Sequence, residues 1–160
     1  MRLERLKYSA RNCSVAGTLA IVGERWSLLI LREAFNGIHR FDDFLTAIGC
    51  ARNILSDRLT TLVEGEILVK VPYRGEGQRE RYAYRLTERG LELFPILVAL
   101  MHWGDRWLDH KKGVPAIIQH KECGEPIFVD IKCGKGHGGL TARDTRAIPG
   151  PGARLTKSRR

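Results

Sequence analysis

Between residues 14 and 112 the apolar positions recur at two periods, and the switch between them outlines the fold. Ser14 can cap a helix whose apolar positions include Val15, Leu19 and Val22, and Gly23 breaks it. Glu24 to Phe35 repeats Trp26, Leu29, Ile30 and Ala34 at helical spacing, then stops at Asn36-Gly37, where glycine suits the left-handed position after a helix. Arg40 to Ile48 makes a short third helix with Phe41, Phe44, Leu45 and Ile48 on its buried side, and Gly49-Cys50 is the turn behind it. Ala51 to Glu64 is the fourth helix. Its Leu55, Leu59 and Leu62 form a stripe at i, i+4, i+7, flanked by Ile54 and Val63, and Gly65 ends it. Two strand-like runs follow, Ile67 to Tyr73 and Tyr82 to Leu86, joined by the charged, glycine-bearing segment 74–81. Thr87 opens a longer helix bearing Leu91, Phe94, Leu97, Val98, Met101 and Trp103, extended by Trp107 and Leu108. Pro95 either kinks this helix or marks a helix start.

Helix-turn-helix, hairpin, helix is the order of a winged helix-turn-helix: mainly α with a small β-hairpin wing (α+β). That architecture places one helix in a DNA groove and a hairpin on the flanking backbone. The polar face of the fourth helix carries Arg52, Asn53, Ser56, Asp57, Thr60 and Thr61, a short face without bulky hydrophobes that can meet base edges or phosphates. Arg52, Asn53, Ser56 and Thr60 are the expected base readers. At the hairpin tip Arg74, Gln78, Arg79 and Arg81 are the expected phosphate ligands, with Glu76 and Glu80 working against them. A polar helix face and a charged tip are also what any solvated surface shows, so it is their order along the chain that favours DNA. The rival reading is a winged helix that binds other proteins without specific DNA binding.

Composition narrows this picture. The chain has 160 residues, 43% hydrophobic and 28% charged, an ordinary globular balance for one domain with a small appendage. Its formal charge of +9 sits at the ends: residues 1–13 net +3 and residues 141–160 net +5, leaving +1 for everything between. Pooled charge is therefore weak support for nucleic-acid binding. Residues 1–112 read as a DNA-binding and dimerisation domain. Residues 113–142 read as a small ribbon-like extension with a short strand from Pro126 to Ile131, and 143–160 as a basic tail without structure. The helix after Thr87 carries more apolar surface than a monomer of this size needs, which points to a homodimer through terminal helices. The first dozen residues are polar and no apolar run approaches a membrane span, so no membrane partner and a cytoplasmic location are expected. Four cysteines in that setting read as thiols, redox sensors or metal ligands rather than structural disulfides. No Ser-His-Asp order, phosphate loop or paired-carboxylate cleft suggests an enzyme, and His39 and His102 are isolated.

The chain resembles the HxlR-type bacterial transcription regulators, relatives of the MarR-type winged helices. The matching blocks are Cys13-Ser14, Gly23-Glu24-Arg25-Trp26-Ser27-Leu28-Leu29-Ile30-Leu31, Gly37 through Arg40-Phe41, Leu55-Ser56-x-Arg58-Leu59, Gly65, Tyr84-x-Leu86-Thr87-x-x-Gly90 and Trp103-Gly104. They span roughly residues 10–110; each is weak alone, and their order and spacing are specific. The resemblance implies a homodimer on operator DNA, with 51–64 as recognition helix, 73–82 as wing, and Arg25, Trp26 and Arg58 as scaffold. It also implies a redox-sensing role for Cys13, whose thiolate Arg11 and the following helix N-terminus would favour. Cys50, in the turn before the recognition helix, is the rival sensor. The extension resembles one in a subset of the family, where a Cys-Gly pair precedes a Cys-x-x-Cys-Gly; here Gly136 stands at the last ligand position and His137 follows it. No cofactor is required. The candidate ion is zinc on His120, Cys123, Cys133 and His137, a tetrahedral donor set, and the alternative is a metal-free ribbon. The effector is left open.

Overall fold

A computed structural model describes residues 7–9, 11–73 and 81–156. The chain divides into two compact units, one of Thr18–Leu97 and one built from the described residues of 1–17 and 98–160. The helices are α1 (Ser14–Val22), α2 (Arg25–Phe35), α3 (Phe41–Ile48) and α4 (Arg52–Glu64). The antiparallel hairpin β1 (Leu68–Tyr73) and β2 (Arg81–Leu86) follows, then α5 (Glu88–Leu91) and α6 (Phe94–Trp107). The division falls within α1 and α6. No single described helix is long and apolar enough to cross a membrane.

The core of the first unit is made by the stripes that the sequence predicts. Phe44 of α3 and Leu55, Leu59 and Leu62 of α4 are completely buried, together with Ile30 and Leu31 of α2. Each such side chain stabilises the fold by about 1.5–3 kcal/mol relative to exposure. On α2 the buried positions are Ser27, Ile30, Leu31 and Ala34, so the face is rotated from the Trp26–Leu29 side, and Trp26 is half-buried beneath the Arg25 guanidinium at 4.2 Å. Gly49 ends α3 in the left-handed conformation, φ 70°, and its backbone N–H donates to the Leu45 carbonyl. After α4 the left-handed residue is Glu66, φ 58°, and not Gly65, whose φ is −75°. Gly65 is needed for space instead: a Cβ there would sit 2.6 Å from Ile21 Cγ2.

The hairpin runs in register from Leu68 opposite Leu86 to Tyr73 opposite Arg81. Residues 39–40 line the other edge of β2: the Tyr84 N–H donates to the His39 carbonyl at 2.7 Å, and Arg40 bridges Ala83. The start of α3 is thereby fixed to the hairpin. Tyr84 packs on the core, and burial raises its phenol pKa above the usual value. The helix expected after Thr87 is two. Thr87 caps the one-turn α5, its hydroxyl accepting from the Gly90 N–H at 3.0 Å and donating to the Glu66 carbonyl at 2.6 Å. Pro95 then falls at the second position of α6, where its missing N–H costs nothing and its fixed φ suits a helix start.

In the second unit the extension forms two tight hairpin turns. In one, Ile127 N–H donates to Ile118 O at 3.0 Å and His120 N–H to Glu125 O at 2.9 Å; in the other, Leu140 N–H donates to Ile131 O at 3.2 Å and Cys133 N–H to His137 O at 3.0 Å. Between them only Pro126 makes a β-bridge, to Gln119, so the strand expected over Pro126 to Ile131 reduces to that bridge. Part of the segment expected to lack structure pairs with the N-terminal arm. Ser9 N–H donates to Arg154 O at 2.8 Å, Thr156 N–H donates to Lys7 O at 2.9 Å, and Tyr8 bridges Leu155.

Candidate nucleic-acid interface

Successive residues of a helix turn by 100°, so Arg52, Asn53, Ser56 and Thr60 of α4 fall within an arc of about 100°. All four are exposed, while Leu55, Leu59 and Leu62 anchor the other side of the helix in the core. The buried stripe therefore fixes which way the polar arc faces. Asp57 and Glu64, also exposed, bound its outer edge and would repel phosphate there. The Thr60 hydroxyl donates to the Ser56 carbonyl at 2.9 Å, and the Thr61 hydroxyl to the Asp57 carbonyl at 3.0 Å. With its proton so used, the hydroxyl of the exposed Thr60 is left to accept, which suits a base amino group.

Asp42, in the first turn of α3, meets two of the predicted DNA ligands. Its Oδ1 lies 3.2 Å from Arg52 Nη2 and its Oδ2 lies 3.9 Å from Arg81 Nη1, at the base of the hairpin. The Arg52 guanidinium also lies 5.1 Å from the Phe41 ring centroid, and that of Arg40 lies 5.0 Å from the Tyr73 ring. Arg52 and Arg81 thus share one carboxylate, while Arg40 stacks on Tyr73, the residue opposite Arg81 in the hairpin. Sequence reasoning missed Arg40 and Asp42 as members of this surface. The only local signal was an Arg-Phe-Asp run opening a helix, because Arg81 lies far along the chain. Arg74, Gln78 and Arg79 lie outside the described residues.

Two helices present apolar stripes to solvent. On α6 these are Ile96, Leu100, Trp103 and Trp107, spaced i, i+4, i+7, i+11, with the two tryptophans 61% and 64% exposed. On α1 they are Val15 and Leu19, one helical turn apart. Monomers seldom leave continuous apolar stripes of this kind uncovered.

No disulfide joins the four cysteines. Cys13 is half-buried just before α1 and lines a groove of about 400 Å³ with Tyr8, Asn12, Pro149 and Arg154. Cys50 is half-buried against the core ahead of α4. The four candidate metal ligands form two separate pairs: His120 Nδ1 lies 3.3 Å from Cys123 Sγ, and His137 Nδ1 lies 3.4 Å from Cys133 Sγ. Among the described residues no three such side chains converge as a metal-binding group. Backbone N–H groups of Lys135 and His137 point at the Cys133 sulfur and hold its pKa below the usual thiol value.

The HxlR-like helix-turn-helix family matches residues 21–112. Over 99% of its length the chain is 42% identical to the whole of Rv3095, an uncharacterized HTH-type transcriptional regulator of Mycobacterium tuberculosis. Among solved structures, PA1607 superposes with a TM-score of 0.76 at 37% identity, over 86% of this chain and 95% of that one. The redox regulator HypR, in its oxidized form, superposes with a TM-score of 0.55 at 26% identity, over 61% of this chain and all of that one.

Proposed function

Because the chain belongs to the HxlR-like helix-turn-helix family, we propose that it acts as a homodimeric, sequence-specific DNA-binding transcription regulator. Residues 51–64 enter the major groove and the hairpin over 73–82 rests on the backbone. The observation that carries this reading is the polar arc of α4, held outward by three fully buried leucines and free of large apolar side chains. Arg52, Asn53, Ser56 and Thr60 read base edges, and Arg81, with Arg74, Gln78 and Arg79 of the tip, contacts phosphates. The apolar stripes of α1 and α6 support dimerisation, which pairs two half-sites and doubles the contacts per complex. Cys13 is the redox-responsive group. Its groove gives an oxidant access, and a relative by fold is itself named a redox regulator.

The test is selection of preferred duplexes from a randomised pool by the full chain, followed by titration against the selected and a scrambled duplex over a range of salt. Specific binding with log K falling linearly in log salt, by about 0.9 per phosphate neutralised, is expected. A thiol oxidant is expected to change affinity in the wild type and not in Cys13→Ser. If the pool returns unenriched, the DNA-binding reading fails. If Cys13→Ser still responds to the oxidant, the sensor assignment fails.

A further inference from the structure

Arg52 and Arg81 put positive charge on the helix-and-hairpin surface, yet the exposed Asp42 pairs with both. As a stabilising contact an exposed pair of this kind is worth only about 0–1 kcal/mol, so its consequences lie in what the arginines can do. We infer that Asp42 is a specificity-determining positioning residue, fixing Arg52 for readout of a guanine edge while opposing indiscriminate phosphate contact. The inference deepens the DNA-binding reading and rests on it.

The argument is one of geometry and charge. A guanidinium carries five N–H donors in a rigid fork. Arg52 directs one terminal nitrogen at Asp42 and is further confined by the Phe41 ring. Its other donors remain available for a bidentate contact to guanine O6 and N7, the commonest specific major-groove contact of arginine. An Arg52 without Asp42 is a long flexible cation, equally suited to any phosphate. Non-specific binding comes from phosphate neutralisation. If Arg52 swings to a phosphate it leaves the Asp42 carboxylate facing the polyanion with only the looser Arg81 to compensate it, so that mode is penalised. When Arg52 reads a base with Asp42 still in contact, the carboxylate stays compensated. Arg81, held more loosely at 3.9 Å, shares the same carboxylate from the hairpin side. One acidic residue therefore lowers affinity for the wrong sequence more than for the right one, which is how specificity arises from a repulsive element.

The experiment uses full-length protein and the duplex that the wild type selects from a randomised pool. Wild type, Asp42→Asn, Asp43→Asn, Arg52→Ala and the Asp42→Asn/Arg52→Ala double variant are titrated on that duplex, on duplexes with each guanine replaced, and on a scrambled duplex. Asp42→Asn is close to isosteric and exposed, so the fold is retained. It is expected to tighten binding to the scrambled duplex about threefold to tenfold through loss of one opposing charge. Discrimination at one guanine is expected to fall about tenfold, within the range of one bidentate base contact. In the Arg52→Ala background the loss of discrimination is expected to vanish. Asp43→Asn, the same charge change one residue away, is expected to tighten scrambled binding while leaving that discrimination intact. Unchanged discrimination in Asp42→Asn overturns the inference, as does an equal fall in the Arg52→Ala background or in Asp43→Asn. A wild type that selects no sequence overturns the DNA-binding reading, and this inference with it. A wild type that selects one while Asp42→Asn keeps full discrimination overturns the inference alone.

Discussion

Gly90→Ala is the sharpest stability test of the hairpin-to-helix junction. Gly90 is buried in α5, and a Cβ there would lie 2.3 Å from the Ile67 carbonyl oxygen and 3.0 Å from Leu86 Cδ2. The first neighbour is backbone and cannot rotate away, so α5 must retreat by about 1 Å to restore van der Waals contact. The same carbonyl accepts the Thr87 N–H at 3.1 Å, the bond that seats the start of α5 on the residue leading into β1. Overpacking costs about 1–3 kcal/mol and one weakened hydrogen bond about 1 kcal/mol. The gain from placing alanine rather than glycine in a helix offsets about 0.5–1 kcal/mol. The expected net loss is about 2 kcal/mol. It is read as a lower urea midpoint at unchanged m value, by circular dichroism at fixed protomer concentration because association would shift the midpoint. Gly17→Ala is the control. Gly17 lies in α1 with nothing within 4 Å of an added Cβ, so that change should be neutral or stabilise by up to about 1 kcal/mol. A Gly90→Ala midpoint equal to that of the wild type would refute the claim that the close approach, rather than helix propensity, dictates glycine there.

Two further outcomes follow from the exposed stripes and the extension. Leu100→Glu places a charge in the middle of the α6 stripe and is expected to shift the protein to a monomer in sedimentation velocity and to weaken binding to a paired-half-site duplex at least tenfold; a dimer of unchanged affinity would place the interface elsewhere. The low pKa of Cys133 comes from backbone N–H donors, that of Lys135 first, so Lys135→Pro, which deletes that donor, should raise the pH at which Cys133 alkylation reaches half its maximal rate. Lys135→Ala keeps the donor and should leave that pH where it is, as peptide-resolved mass spectrometry can check; an equal rise in the two variants would point to the lysine charge as the cause.

What the sequence revealed and what it concealed divide along a physical line. The α4 stripe was legible because three leucines at i, i+4, i+7 admit one helical reading, and all three are fully buried. The hairpin was legible because two β-rich runs flank a glycine-bearing polar segment. The burial of α2 was less so: Trp26 is the largest apolar residue on that helix, but it is the polar Ser27 that is fully buried. The left-handed turn after α4 was concealed because glycine is the usual tenant of that conformation and here Glu66 holds it. Its side chain pairs with Arg89 at 3.2 Å. The Asp42 cluster was invisible for a different reason. Its members are scattered along the sequence, and only the antiparallel return of β2 past residues 39–40 brings Arg81 to the start of α3.

Net charge does not explain how such a surface would hold DNA. The unit of Thr18–Leu97 contains eleven Lys and Arg against eleven Asp and Glu, so its formal charge is zero. The excess of +9 lies outside it, mostly in the terminal segments. A duplex in contact with this surface must then be held by how the neutral unit sorts its charges. Arg52 and Arg81 meet at Asp42, beside the start of α4 and the base of the hairpin, while Asp57 and Glu64 mark the outer edge of α4. The N-terminus of α4, with its outward N–H groups, adds to the positive end. A dipolar arrangement of this kind falls off with distance faster than a net charge and is screened within about 10 Å at 0.1 M salt. It therefore orients a duplex already in contact rather than attracting one from afar. Long-range attraction is left to the basic terminal segments. Truncating residues 157–160, which carry Lys157, Arg159 and Arg160, should accordingly slow association and flatten its salt dependence while leaving sequence preference unchanged; a changed preference would show that the tail reads bases itself.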